Sequence, residues 1–238
     1  MPAPCHRRRP RDRHRRRHGG LAGRLQRHQG PGGRGIGRFA RSGFGQVFPS
    51  YLNDGEWAFV NAVVDHLIPA DDLGPGALEA GVPEFIDRQL ETPWGYGRLW
   101  YMQGPFQPDA VPEMGYQNNM TPRDIFRHGI ADCDAWCRQN RGGKTFATLD
   151  KAQQEEVLHL MDDKKIDLPN VPTKLFFTYL LTGTRQGFFA DPIYGGNKGM
   201  VGWKLIGFPG ARADFMDWID QPNKPYPFGP VSINGARA

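Results

Sequence analysis

The chain has few of the residues that bind metals or attach cofactors. Its 238 residues include three cysteines, and these do not form the Cys-x-x-Cys-His pattern that attaches a c-type haem. Three histidines follow residue 50, at no spacing typical of zinc ligands. Phosphate-binding loops and the Gly-x-Ser-x-Gly pattern of hydrolases are missing. We therefore expect this chain to bind no cofactor and no metal, and we assign no catalytic residue.

Long apolar runs are also missing. A transmembrane helix needs about 20 apolar residues. The most apolar helix that the sequence predicts, around Leu175 to Leu181, is too short to span a membrane.

Charge is distributed unevenly along the chain. Residues 1–50 contain 13 arginines, no lysine and one acid, Asp12, so they carry a formal charge of +12. Because the whole chain carries +5, the remainder is acidic, at −7. Clustered arginine can bind nucleic acid by releasing counterions from phosphate. The arm, however, has no aromatic residue before Phe39 on which a base could stack. We do not expect nucleic acid as a partner, and we keep a basic-arm nucleic-acid binder as an alternative.

Composition changes near residue 48. Residues 1–48 are rich in Arg, Gly, Pro and His and predict a disordered, low-complexity arm. Residues 49–238 contain apolar residues at helical spacing and predict one folded domain.

Helix signals recur throughout this domain, and strand signals are few. Caps and prolines predict helix starts at Asn53 with Glu56, Pro83, Thr121 with Pro122, Asp150 and Pro172. There is no sustained alternation of apolar and polar residues. The predicted fold is therefore mainly α, a single helical domain with long ordered loops rich in Gly, Pro and aromatic residues at 70–82, 103–120 and 187–212.

The ionisable residues suggest one alternative function. A stand-alone helical enzyme would use Asp71, Asp72 or His66, which lie at or after the end of the first predicted helix. These residues are also typical of a capping histidine and a solvated turn. Cys133 and Cys137 lie four residues apart on one predicted helix face, and we expect them to be buried, unpaired core residues.

The densest loop pattern lies at residues 187–210. Two prolines and five aromatic residues stand there among many glycines, which predicts an ordered loop rather than a flexible linker. Within it, Phe189-Ala-Asp-Pro-Ile-Tyr-Gly-Gly-Asn and the downstream Gly-Trp-Lys-Leu-Ile-Gly-Phe-Pro-Gly resemble the signature of the gluconate 2-dehydrogenase subunit 3 family. The segments 57–72, 81–87 and 92–96 agree with the same family, and the resemblance runs from about Tyr51 to Ile233.

The resemblance implies a noncatalytic small subunit of a periplasmic flavin-dependent dehydrogenase acting on gluconate or a related sugar. In such complexes FAD is in a large subunit, and haem c is in a multihaem cytochrome c subunit. The small subunit binds the large one and supports its folding and export. The resemblance thus implies association with the inner membrane only through the complex.

The resemblance also implies a twin-arginine export signal, which needs an apolar stretch of roughly 7 to 15 residues after the arginines. The arm has no such stretch, so we do not expect it to direct export as written. Its composition is typical of a GC-rich gene read in the wrong frame. We therefore interpret residues 1–48 as a degenerate or frameshifted export signal, which translation of the upstream DNA in all three frames would test.

A partner subunit needs ordered loops that present aromatic residues. We expect the contact to lie in the signature loop, where Asp191 would fix the backbone and the glycines would let another chain approach. The predicted partner-binding residues are Phe188, Phe189, Asp191, Pro192, Tyr194, Gly195, Gly196, Asn197 and Trp203.

Overall fold

The computed structural model describes residues 48–107 and 109–238. This part of the chain contains six α-helices and isolated β-bridges but no β-strand, so the predicted mainly α fold is confirmed. The helices are α1 (Asp54–Leu67), α2 (Val82–Leu90), α3 (Pro122–Asn140), α4 (Lys151–Asp162), α5 (Thr173–Phe189) and α6 (Val201–Ile206). The predictions for the arm, that it is disordered, binds nucleic acid or is a degenerate or frameshifted export signal, concern residues outside this range.

Side-chain caps fix where the long helices begin. In α1 the Asn53 side chain accepts from Glu56 N at 3.0 Å, and the Glu56 carboxylate accepts from Asn53 N at 3.0 Å. Thr121 and Asp124 form the same capping box at α3, and Asp150 caps α4. These bonds satisfy amide groups that the first helical turn leaves free. The predicted starts of α1, α3 and α4 are confirmed.

Helix α5 is the centre of the core. It packs against α1, α2, α3, α4 and α6. Its Phe176 and Leu180 are fully buried, and Phe59 of α1 lies between Phe146 and Phe176, at 4.8 and 6.1 Å between ring centroids. Cys133 and Cys137 of α3 are buried in the same core as free thiols, so their predicted burial is confirmed.

The segment predicted as a loop at 187–212 is more regular than expected. Phe188 and Phe189 belong to α5, and α6 lies inside the segment together with short 3-10 turns at Pro192–Tyr194 and Lys198–Met200. Gly187 does not end α5, because its missing side chain makes room for α2: a Cβ there would lie 2.9 Å from the Phe85 ring. Close packing between the helices thus offsets the poor helix propensity of glycine.

A buried carboxylate holds the first described residues onto the helices. Asp87 of α2 accepts from the backbone N–H groups of Ser50, Tyr51 and Leu52 at 2.6, 3.0 and 2.9 Å, and from the Ser50 hydroxyl at 2.7 Å. Four such bonds satisfy the charge that burial would otherwise penalise. Among the described residues, no helix has both the length and the apolar character that a membrane crossing requires.

Candidate partner-binding groove

The structure places most of the predicted partner residues inside the protein. Asp191, which we had expected at the contact, is buried, and only Phe189 and Tyr194 are substantially exposed, at 39% and 50%. Pro192 is half-buried. The buried members of the predicted set are Phe188, Asp191, Gly195, Gly196, Asn197 and Trp203.

These residues are buried because the segment folds back onto the end of α5. The Asn197 amide donates to Ala190 O at 2.9 Å and accepts from Gly202 N at 2.8 Å. Trp203 Nε1 donates to Phe189 O at 2.8 Å. A side chain at Gly196 would clash with the Gly187 carbonyl oxygen. The close approach that this glycine permits is therefore to α5 of the same chain.

Asp191 fixes the loop as expected, and it also reaches a distant segment. Its carboxylate accepts from Ile193 N at 3.0 Å, two residues along the loop. Its second oxygen accepts from Ile233 N at 2.7 Å. The same carboxylate therefore joins the signature loop to the C-terminal residues.

The two exposed residues of the predicted set line an apolar groove on the protein surface. We call it the α2–α5 groove; it has a volume of about 580 Å³. Leu99, at 66% exposure, lies on its rim. The lining residues are Phe85, Ile86, Gln89, Trp94, Leu99, Phe126, Gly183, Gln186, Phe189, Ala190, Asp191 and Tyr194.

Gly183 of α5 lies at the floor of the groove, and a turn after α2 forms one wall. Gly183 and Gly187 lie four residues apart, so they share one face of α5, where Ile86 and Phe85 of α2 pack. Trp94 stacks on Tyr179 of α5, with 5.9 Å between ring centroids. Burial there raises the pKa of the Tyr179 hydroxyl.

Arg123 stacks on a tyrosine ring of the same turn. The Arg123 guanidinium lies between the rings of Tyr51 and Tyr96, at 4.0 and 4.1 Å from their centroids. Because Tyr96 follows Trp94 closely and Arg123 begins α3, this stack ties the groove wall to the helical core.

The described residues that line the groove are mostly apolar. Among them, Asp191 and Tyr194 are the ionisable ones, and the Asp191 carboxylate already bonds two backbone amides. The other polar groups in this lining are the amides of Gln89 and Gln186 and the indole N–H of Trp94. An apolar recess with a few hydrogen-bonding groups is typical of a site that holds part of another molecule.

Two of the three residues of the stand-alone enzyme alternative, His66 and Asp71, are held in structural contacts. His66 Nε2 bonds Gln154 Oε1 at 2.9 Å, and the Gln154 amide donates to Phe146 O at 3.1 Å. Asp71 accepts from Leu73 N at 2.8 Å within its own turn. Asp71 also lines a smaller groove of about 340 Å³, and it is the one acid among the described residues of that lining. Asp72 is exposed.

The two thiols interact with each other inside α3. A hydrogen bond with Cys137, together with burial, raises the pKa of Cys133. The reciprocal bond lowers the pKa of Cys137 despite its burial. Among the described residues, no group of three or more His, Cys, Asp or Glu side chains is arranged to hold a metal ion.

Comparison with known families agrees with the motifs. The profile of the family described as Gluconate 2-dehydrogenase subunit 3 matches residues 54–210. The chain belongs to the gluconate 2-dehydrogenase subunit 3 family. Comparisons with curated proteins and with solved structures returned no match. Membership of a subunit family implies that the chain works in a complex with other subunits.

The family match contains the whole α2–α5 groove and ends before the C-terminal residues 211–238. Sequence reasoning missed several groove residues, namely Gln89, Leu99, Gly183 and Gln186. The available signal was the Gly183 and Gly187 pair, four residues apart in an apolar helix, which is typical of a helix that another element approaches closely.

Proposed function

We propose that the chain is the noncatalytic small subunit of a periplasmic, membrane-associated flavin-dependent dehydrogenase of the gluconate 2-dehydrogenase type, and that the α2–α5 groove binds its FAD-containing large subunit. FAD would then lie in the large subunit and haem c in a multihaem cytochrome c subunit. This chain would contribute a binding surface and would support folding and export of the large subunit. Family membership supports the subunit role, and the groove supports the place of contact.

The observation that carries the proposal is the exposure of apolar side chains around a concave site. Leu99, Phe189 and Tyr194 face solvent beside a recess whose walls are aromatic. Interface cores favour such residues, and the anchors that fill a pocket carry most of the binding energy. Each large apolar side chain that a partner buried there would contribute about 1.5 to 3 kcal/mol. We expect the occupant to be an apolar segment of the large subunit.

The first experiment is co-expression with the large subunit encoded in the same genome. Purification through a tag on this chain should recover a flavin-containing partner and dye-linked gluconate oxidation. Recovery of this chain alone, folded and free of flavin, would contradict the proposal. Dehydrogenase activity of this chain without any flavoprotein would instead support the stand-alone enzyme.

A matched pair of variants tests the place of contact. Leu99→Asp puts a charge on the rim of the α2–α5 groove, whereas Leu73→Asp makes the same change at a leucine that is equally accessible, at 75% exposure, beside the smaller groove. Burying an unpaired carboxylate is costly, so Leu99→Asp should reduce recovery of the large subunit by at least about tenfold. Leu73→Asp should leave it unchanged. Equal losses in both variants would remove the groove from the proposal.

The export role needs a separate measurement. The large subunit should reach the periplasmic fraction when it is co-expressed with this chain carrying a functional twin-arginine signal, and it should remain in the cytoplasm without this chain. Export of the large subunit by itself would refute that part of the proposal and leave the binding role intact.

A further inference from the structure

The C-terminal residues beyond the family match form a closed loop. Ala211 N donates to Val231 O at 2.7 Å, and Arg212 Nη2 donates to Gly229 O at 2.6 Å. The two ends of residues 212–229, which we call the C-terminal loop, therefore lie next to each other. The returning chain is held at Ile233 by Asp191, which also lines the α2–α5 groove. Surface loops whose ends meet in this way and that pack on their own side chains are frequently functional.

A cluster of rings supports this loop from within. Tyr226 lies edge-on to Phe215, Trp218 and Phe228, at 5.4, 5.9 and 5.6 Å between centroids. The Arg212 guanidinium covers the Tyr226 ring at 5.1 Å. Edge-on ring pairs are favourable beyond the area that they bury. The cluster thus gives the loop a preferred shape.

Outside this cluster the loop presents apolar side chains among acids. Met216 and Ile219 are 73% and 72% exposed. Asp214, Asp217 and Asp220 alternate with them and are all exposed. The two basic residues of the loop are engaged with it, since Arg212 lies over the rings and Lys224 Nζ bonds the Gln221 amide oxygen at 2.6 Å. The result is a shaped apolar patch with an acidic rim.

We propose that the C-terminal loop is a second docking surface, for a protein subunit that presents lysine or arginine side chains around an apolar recess. Exposed apolar side chains with a polar rim are typical of protein contacts, and methionine adapts readily to a partner. The three aspartates select the charge of that partner. Because the ring cluster orders the loop in advance, binding loses little conformational entropy.

The same charges argue against two other occupants. An anionic lipid surface would be repelled by the three aspartates. A second copy of this chain, paired through the same patch about a two-fold axis, would bring like charges together. The inference rests on the proposed function only in taking the partner to be a subunit of the same complex.

Crosslinking from position 219 tests the contact in the full complex. The full-length chain with p-benzoylphenylalanine in place of Ile219 is co-purified with the large and cytochrome subunits, irradiated and mapped by mass spectrometry. We expect a crosslink to another subunit beside lysine or arginine residues, and none when the probe replaces Lys144, which is exposed between α3 and α4. Two results would overturn the inference. One is an intact complex in which position 219 forms no crosslink to another subunit. The other is an intact complex in which position 219 crosslinks only to residues 1–48 of this chain. If wild-type chain recovers no other subunit, the proposed function fails instead.

A charge reversal tests the chemistry of the partner. Asp217→Lys and Asp72→Lys change the net charge equally, and both residues are exposed. Because charge reversal makes an attractive contact at the rim repulsive, Asp217→Lys should weaken retention of the crosslinked subunit about three- to tenfold at low salt. High salt should remove the difference, and Asp72→Lys should bind normally. Unchanged or tighter binding of Asp217→Lys would refute a basic partner.

Discussion

The signature segment at 187–210 and the C-terminal loop at 212–229 are both rich in proline and aromatic residues but have opposite surroundings. The first contains seven glycines and the second contains one. In the first, Trp203 is buried against the end of α5, whereas in the second the rings pack on one another around Tyr226. Small and hydrogen-bonding residues make the difference, because Gly196, Asn197 and Gly202 bring the first segment into backbone contact with α5. Composition indicates that both segments are ordered, but it does not say which of them faces a partner.

The largest expected contrast between the two regions is at their tryptophans. Trp203→Ala should lower the free energy of unfolding by about 4 kcal/mol, because it removes a buried ring and the hydrogen bond to Phe189 O. Trp218→Ala should cost only about 1 kcal/mol, since Trp218 is half-buried, its ring pairs with Tyr226, and its indole N–H makes a long, exposed hydrogen bond of 3.3 Å to Lys224 O. Denaturant unfolding of the two variants measures both values. Equal losses would mean that the C-terminal loop is part of the core.

The asparagines with left-handed backbone conformations give the next contrast. Asn197 has φ +46° and is fully buried, with both amide atoms bonded, whereas Asn223 has φ +61° and is exposed. Asn197→Ala should cost about 3 kcal/mol, because it leaves Ala190 O and Gly202 N unpaired in addition to the backbone strain. Asn223→Ala should cost about 1 kcal/mol from strain alone. The same unfolding experiment applies, and a cost at Asn197 no larger than that at Asn223 would show that its bonds contribute little.

Helix starts could be predicted from the sequence because their causes are local. The capping partners at α1 and α3 are three residues apart, so the bonds that stabilise each start can be inferred from the sequence. The end of α5 and the start of α6 could not be predicted in this way. Gly187 remains helical because α2 packs against it, and α6 begins beside the bond from Gly202 N to the Asn197 side chain, five residues earlier. These causes are tertiary contacts.

The candidate site depends on packing more than the helix starts do. The signature loop is ordered as predicted, and most of the residues that we predicted there for partner binding are buried. The α2–α5 groove takes its lining from α2, the turn after it, α3 and α5 with the residues that follow, and no single stretch of sequence contains that combination. Aromatic residues favour cores and interfaces alike. Packing, rather than residue type, decides which rings remain available.

A smaller loss of stability is expected at Gly196, where the missing side chain lets the backbone of Gly187 approach closely. Gly196→Ala should cost about 2 kcal/mol, because its Cβ would clash with the Gly187 carbonyl oxygen and one of the two segments must shift. Gly235 has φ +83° and open space around it, so Gly235→Ala should cost about 1 kcal/mol from strain alone. Thermal or denaturant unfolding of both variants checks the order. A larger cost for Gly235→Ala than for Gly196→Ala would show that the backbone at Gly196 does not lie as close to the Gly187 carbonyl oxygen as described.

The smallest predicted effect has the opposite sign and concerns the groove floor. Gly183 lies within α5, and a Cβ there would meet Ile86 at 3.5 Å, an ordinary van der Waals distance. Gly183→Ala should therefore stabilise the fold by about 0.5 to 1 kcal/mol, since alanine loses less backbone entropy in a helix. Alanine leaves most of the groove open, so Gly183→Ala should also bind the large subunit normally. Gly183→Leu should fill the recess and weaken binding of the large subunit with little loss of stability. Normal binding by a stably folded Gly183→Leu variant would show that the partner does not enter the α2–α5 groove, and the contact would then have to be sought at the C-terminal loop.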